Sequence, residues 1–211
     1  GVTSDAQYNT VAGTQAGDSF SGTSAEYNSF YGYDAGTANT TGDGGVAVGY
    51  QALATNNTGS YNTAVGYRAA QNNEGASSIT AVGIEALRRN TSGEANVGIG
   101  AYALSYNTTS SNSVAVGQQS LYNNTGHSNA ALGHQSGMDI STGDKNICIG
   151  YQAGNSGTND ITTGDNNILI GYQAAASSAT ISNEVTIGDT NITKFRIPGL
   201  NFVVKDTTAT E

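Results

Sequence analysis

Two histidines, one cysteine and a thin scatter of acids are all that this sequence offers to metal or nucleophilic chemistry. His127, His134 and Cys148 lie 7 and 14 residues apart, unlike the short ligand pairs of zinc sites. Asp144 and Asp165 each follow a glycine, and suit the capping of backbone amides in turns. "GIGAYA" (98–103) fits the loose G-x-G-x-x-A dinucleotide pattern but has no strand-to-helix setting. No Ser, His and acid trio emerges from the serine-rich background, and no carboxylate pair is singled out by spacing. The reading is of a protein that is not an enzyme and takes no cofactor.

The better candidates are surface aromatics on a fixed beat. Tyr33, Tyr50 and Tyr67 are spaced by 17, and Tyr151 and Tyr172 by 21. Stacked on a rigid flank, such rings could meet a sugar or protein receptor, although a file of tyrosines is more often simple cross-strand packing. What must position them is a repeat.

Take the glycine that closes each short apolar run. It falls at Gly13, Gly32, Gly49, Gly66, Gly83, Gly100, Gly117, Gly133, Gly150, Gly171 and Gly188. The steps are 19, 17, 17, 17, 17, 17, 16, 17, 21 and 17, a regularity that marks a repeat architecture. One residue before this marker stand Val48, Val65, Val82, Ile99, Val116, Leu132, Ile149, Ile170 and Ile187. Three before it come Val46, Val97, Val114, Ile147, Ile168 and Val185, and between the two lies a column of Ala47, Ala64, Ala81, Gly98, Ala115, Ala131 and Cys148. That is a period-2 strand, with branched aliphatics on one face and very small residues on the other. Ala or Ser recurs three residues after the marker, where a second strand or a tight corner is expected.

Asparagine supplies the corners, with 23 in the chain. It recurs four before the marker (Asn9, Asn28, Asn62, Asn96, Asn129, Asn146, Asn167) and seven after it (Asn39, Asn56, Asn73, Asn90, Asn107, Asn124). Asn tolerates left-handed backbone, and stacked copies can bond to one another as ladders. Each 17-residue phrase then reads as one coil of a parallel β-solenoid, too small to bury its own apolar face without neighbours. A helical repeat is disfavoured by the density of Gly, Asn, Thr and Ser. Eleven coils at ~4.8 Å make a rod on the order of 50 Å long.

Composition agrees. Leu, Ile, Val and Phe number only 36 of 211, below the rough 20% that often accompanies disorder. Yet disorder usually also brings proline and high charge, and here there is one proline and 11% charged residues. A net charge of −9 argues against a nucleic-acid partner. Arg88 and Arg89, the only adjacent basic pair, suit a solvated turn. No apolar run approaches the ~18 residues of a membrane span, so no membrane insertion is expected. With no signal-peptide pattern and a start at Gly1, the chain reads as a fragment or a processed product. A single cysteine allows no intrachain disulfide. The N-x-S/T sites at Asn39, Asn56, Asn90, Asn107, Asn123 and Asn191 are explained by turn chemistry.

Three features bear on function. The small column is expected to point outward and to pack against sister chains, because an open strand face would carry Thr, Lys or Glu. The long step between Gly150 and Gly171 places its extra residues within Asn155, Ser156, Gly157, Thr158 and Asn159, a loop projecting from the rod and a second candidate receptor-binding element. Residues 191–211, including "KFRIPGLNFVVKD", leave the beat and are expected to cap the solenoid of residues 1–190 or join it to a following module.

The beats "NTAVGYRA", "NSVAVGQQSL" and "NNILIGYQA" resemble the head repeats of trimeric autotransporter adhesins. The fuller phrase "AVGYQALATNNTGSYNTAVGY" (47–67) resembles repeats in phage and phage-like fibre proteins, and the tail "NITKFRIPGLNFVVKD" (191–206) is similar to segments that close such repeats in marine phage structural proteins. The resemblance covers roughly residues 8–190 and the tail. It implies a left-handed β-roll with three chains around one axis, a virion or cell-surface location, other fibre or tail proteins as partners, and a host glycan or protein as receptor. The 17-residue coil exceeds the adhesin-head repeat, which implies a different corner. A trimeric phage tail fibre segment, rigid spacer and receptor surface, is the first expectation. A bacterial adhesin head is the alternative. An ice-binding solenoid is a third, disfavoured because threonine clusters in turns while the strand columns hold Val, Ile and Ala.

Overall fold

A computed structural model describes residues 3–4, 7–20, 24–157 and 159–194. Twelve short strands form one sheet in which spatial order equals chain order. They are β1 (Thr3–Ser4), β2 (Thr10–Ala12), β3 (Ser29–Tyr31), β4 (Val46–Val48), β5 (Thr63–Val65) and β6 (Thr80–Val82). The sheet continues with β7 (Val97–Ile99), β8 (Val114–Val116), β9 (Ala130–Leu132), β10 (Ile147–Ile149), β11 (Ile168–Ile170) and β12 (Val185–Ile187). From β2 to β12 every pair is parallel and in register, Val46 beside Thr63 and Ile147 beside Ile168. Only β1 runs antiparallel, along the free edge of β2. The chain is a stacked-coil β-solenoid with its marker glycines in one column.

That column is obligatory for steric reasons. Gly66 has φ +139, and a Cβ on it would lie 2.5 Å from the carbonyl oxygen of Gly83 in the next coil. No side chain fits where two backbones touch.

After the marker comes a corner, not a second strand. Residues two and four positions on have positive φ although most are not glycine: Gln51 (55) and Leu53 (51), Glu85 (54) and Leu87 (51), Gln119 (56) and Leu121 (48). Alternating the sign of φ turns successive amides to opposite sides. The Gln51 N–H therefore donates back to Tyr33 O at 2.9 Å, and the Leu53 N–H forward to Ala69 O at 3.1 Å. Each left-handed non-glycine residue costs about 1–2 kcal/mol, which these inter-coil bonds and the buried Leu side chains offset.

The expected direction of the strand faces is reversed. Ala47, Ala64, Ala81, Ala115 and Cys148 are fully buried, whereas the aliphatics flanking them are partly exposed, Val48 at 38% and Leu132 at 52%. The small column lines the interior and the branched column faces out. The reason is width. Leu53, Leu87, Leu104 and Leu121 from the corners fill the coil interior together with the buried asparagines, and leave room for nothing larger. A Cβ on Gly98 would already sit 3.2 Å from Leu87 Cγ. Packing of the small column against sister chains is therefore excluded: it is the coil's own core.

The asparagine ladders form as expected. The Asn73 Nδ2 donates to Asn56 Oδ1 at 2.7 Å, and Asn90 and Asn107 continue the chain at 3.1 and 2.7 Å. In the other column the Asn146 and Asn167 backbone amides donate to Asn129 Oδ1 and Asn146 Oδ1 at 2.8 and 3.0 Å. All these residues are buried. A polar group in the core is tolerated because every coil supplies its neighbour's partner. Asn39, Asn56, Asn90 and Asn107 have their amide nitrogens committed inside, so their N-x-S/T sites cannot carry a glycan.

Candidate functional site

Each coil leaves its strand at the marker and presents the next side chain on the corner beside the sheet. In this column Tyr33, Tyr50 and Tyr67 stack with ring centroids 5.5 and 5.3 Å apart and planes within 9–11°. Tyr151 and Tyr172 stack likewise at 5.3 Å, and His134 extends that second file over Tyr151. Ile84, Ala101 and Gln118 occupy the column between the two files. The rings are 40–59% exposed, yet their flat faces are turned to one another. Solvent meets the ring edges along each file, and Arg68 lies over Tyr67 at the end of the first.

Beside the second file runs an amide ladder that the sequence reading missed. Gln135, Gln152 and Gln173 each donate Nε2 to the Oε1 of the preceding Gln, at 3.0, 2.8 and 2.9 Å, starting from Gln119. The signal was present as a glutamine two residues after successive markers.

The insertion is a closed excursion. The Ile161 N–H donates to Gly154 O at 3.1 Å, the same bond that Asn56 makes to Leu53 in an ordinary coil. Only the residues between are extra, where the sequence placed them. Within the loop the Gly157 N–H donates to Asp160 Oδ1 at 2.8 Å, and Asn155 Nδ2 lies 3.5 Å from Met138 Sδ. Thr158 lies outside the described residues. Ser156 and Asn159 share a cleft of about 660 Å³ with Gln173, Thr186, Asp189 and Asn191. The loop therefore meets the residue next to Tyr172, whereas Tyr33, Tyr50 and Tyr67 belong to a separate, earlier part of the flank.

Apart from His134, whose Nδ1 is buried without a hydrogen-bond partner, the groups considered for chemistry are engaged in structure. Asp144 Oδ1 accepts the His127 N–H at 2.6 Å, and Asp165 Oδ1 accepts the Asp144 N–H at 2.8 Å, the amide-capping role expected of them. His127 Nδ1 accepts the Ser111 N–H at 3.1 Å. Burial pushes the Cys148 thiol up to about 12, so it is neither a nucleophile nor a ready metal ligand. Among the described residues no three His, Cys, Asp or Glu side chains cluster to hold an ion. Among the turn threonines, Thr91, Thr125 and Thr162 donate to carbonyl oxygens of the following coil at 2.9–3.2 Å.

The expected cap or junction lies largely outside the described residues, at 195–211. No family model, curated protein or solved structure matches the chain.

Proposed function

We propose that this chain is a segment of a homotrimeric fibre, of the phage tail fibre kind, in which the solenoid is a rigid spacer and its flanks are the receptor surface. The supporting observation is the outward face of the sheet. Parallel sheets are ordinarily covered on both faces, and here one face holds partly exposed Val48, Ile99, Ile149, Ile170 and Ile187 in register. Eleven strands at ~4.8 Å, two to three residues wide, give a strip roughly 50 Å by 10 Å. That is on the order of 500 Å² before side-chain corrugation, at the upper end of what an isolated monomer shows and below the roughly 800 Å² per-partner share of a standard interface. A long apolar strip of constant register suits another copy of the same strip, because periods then match along the whole length.

Sedimentation velocity and native mass spectrometry on the isolated chain test the reading. A stable trimer is expected at micromolar concentration. A monomer, or a dimer that does not associate further, overturns it. Receptor contact is assigned to the corner carrying Tyr33, Tyr50, Tyr67, Tyr151 and Tyr172 and to the loop at 155–159, because both project from a scaffold whose own residues are held by inter-coil bonds.

A further inference from the structure

Three arginines stand on two successive coils of a rod with net negative charge, Arg68 on one and Arg88 and Arg89 on the next. Arg68 Nε donates to Gln51 Oε1 at 3.3 Å, Gln71 Nε2 donates to the same oxygen at 2.8 Å, and Arg88 Nε reaches Gln71 Oε1 at 3.4 Å. Two guanidinium groups thus sit on one pair of glutamines, each held by Nε; the outer Nη1 of Arg88 goes to Glu85, and among the described residues Arg68 makes no such pair. Arg68 lies over Tyr67 with Cζ 5.0 Å from the ring centroid, and Arg89 lies over Tyr106 at 4.1 Å. Stacking on tyrosine fixes the plane of a guanidinium without neutralising it.

The missing partners are informative. The chain has 16 acids against 7 bases, so a carboxylate for every arginine would be easy to supply. Arg88 has one, Glu85 at 3.0 Å. Among the described residues no carboxylate pairs with Arg68 or Arg89. Fixed guanidinium forks without an acid are suited to bind one from outside, two parallel N–H···O bonds to a planar carboxylate.

We infer that this flank, through the acid-free guanidinium groups of Arg68 on Tyr67 and Arg89 on Tyr106, binds the acid group of a carboxylated saccharide. The amides of Gln51 and Gln71 are spent on holding one another, Asp34 and the arginines, so the neutral groups that match sugar hydroxyls are the hydroxyls of Tyr50 and Tyr67. A densely charged polyanion is disfavoured, because the net charge of −9 repels it at long range. A single acid among hydroxyls meets only the local arginines. The inference rests on the receptor-surface part of the fibre reading for where such a sugar is encountered, and not on the number of chains in the assembly.

Isothermal titration with sialyllactose and with trigalacturonate tests it, with lactose and hexaglutamate as controls. At least one acidic sugar is expected to bind more tightly than lactose and hexaglutamate, and to weaken as salt is raised from 50 to 300 mM, on the order expected of a screened exposed pair. Arg68→Gln with Arg89→Gln should cost about tenfold or more in affinity, and Arg68→Lys, which keeps charge but loses the fork, should fall between. Arg89→Gln alone, at an exposed position, serves if the double variant does not fold. Failure of both acidic sugars to bind, equal binding by lactose or hexaglutamate, or unchanged affinity in the glutamine variants would overturn the inference. A trimer that binds no acidic sugar would leave the fibre reading standing, and a monomer that binds one would leave this site standing.

Discussion

The ring of Phe30 fills the space that a side chain on Gly36 would need: a Cβ there would lie 2.7 Å from Phe30 Cζ. Elsewhere the balance is opposite, with Ala47 in the strand and Leu53 at the corner, both fully buried. The coil interior thus has a fixed volume that either the strand or the corner can fill. Gly36 (φ +57) has nearly the backbone of Leu53 (φ 51), so the corner itself accepts leucine. Phe30→Ala should destabilise by about 3–5 kcal/mol, and Gly36→Leu alone should also destabilise by overpacking. The two together should recover roughly 1–3 kcal/mol of the summed loss. Denaturant melts of the four proteins check this, and strictly additive costs would deny the exchange.

The marker glycines should tolerate no side chain at all. Gly66→Ala would set a methyl group against the Gly83 carbonyl, with φ held at +139. Since that backbone is shared with both neighbouring coils, the stack must separate locally, at a cost of several kcal/mol. A fall in melting temperature of roughly 8 °C or more is expected, about 2–4 °C per kcal/mol for a chain of this size. Gly157→Ala in the loop, where a Cβ would meet nothing within 4 Å, should cost far less.

The beat, the turn asparagines and the site of the insertion were legible because each repeats in sequence the contact it makes in space. Which face of the strand points inward was not. Alternation at Val46, Ala47 and Val48 shows that two faces differ, and hydrophobicity alone assigns the larger residues to the core. Interior width decides otherwise, and that width is set by Leu53, Leu87 and their copies on a corner with alternating φ. Gln51 and Leu53 give no sequence hint of left-handed backbone, because the usual signal for it is Gly, Asn or Asp. The tyrosine file was legible as a column. The mutual stacking that hides its ring faces, and the unpaired arginines beside it, depend on side-chain directions that spacing does not carry.

Asn73 tests the buried ladder. Its Nδ2 donates to Asn56 Oδ1 at 2.7 Å and Ala76 O at 3.0 Å, and its Oδ1 accepts from Asn90 at 3.1 Å. Asn73→Ala removes these partners in a site closed to water and should cost about 1–3 kcal/mol. Hydrogen exchange should quicken in the coils on either side of residue 73 before the rest of the stack. Uniform protection along the chain would mean that the ladder adds little.

Cys148 gives a pH prediction. Its thiol rises from an ordinary value of 9.0 to about 12 by burial alone. Only the neutral thiol is tolerated inside, so its share of stability is complete below pH 9 and is lost as pH rises from 9 towards 12. The limiting slope is about 1.4 kcal/mol per pH unit. The matching observation is reactivity. Iodoacetamide at pH 8 should modify the unfolded chain within minutes and leave the folded chain largely unmodified, and rapid alkylation without unfolding would show that the thiol is open to solvent.

Ile99 and Ile149 carry the test of the outward face. Both are 38–39% exposed in the single chain, so replacing them by aspartate should change the stability of an isolated solenoid by little more than a typical surface substitution, about 0.5 kcal/mol. If copies associate through this strip, the same changes bury unpaired carboxylates at every contact, and each costs several kcal/mol. Ile99→Asp with Ile149→Asp is therefore expected to convert a trimer to monomer by native mass spectrometry while leaving the far-ultraviolet circular dichroism of the coil unchanged. Ala64→Asp should act in the opposite sense. It would unfold the coil, because Ala64 lies inside and fully buried. The contrast between the two variants separates assembly from folding. A trimer that survives both isoleucine changes must be held by a different surface.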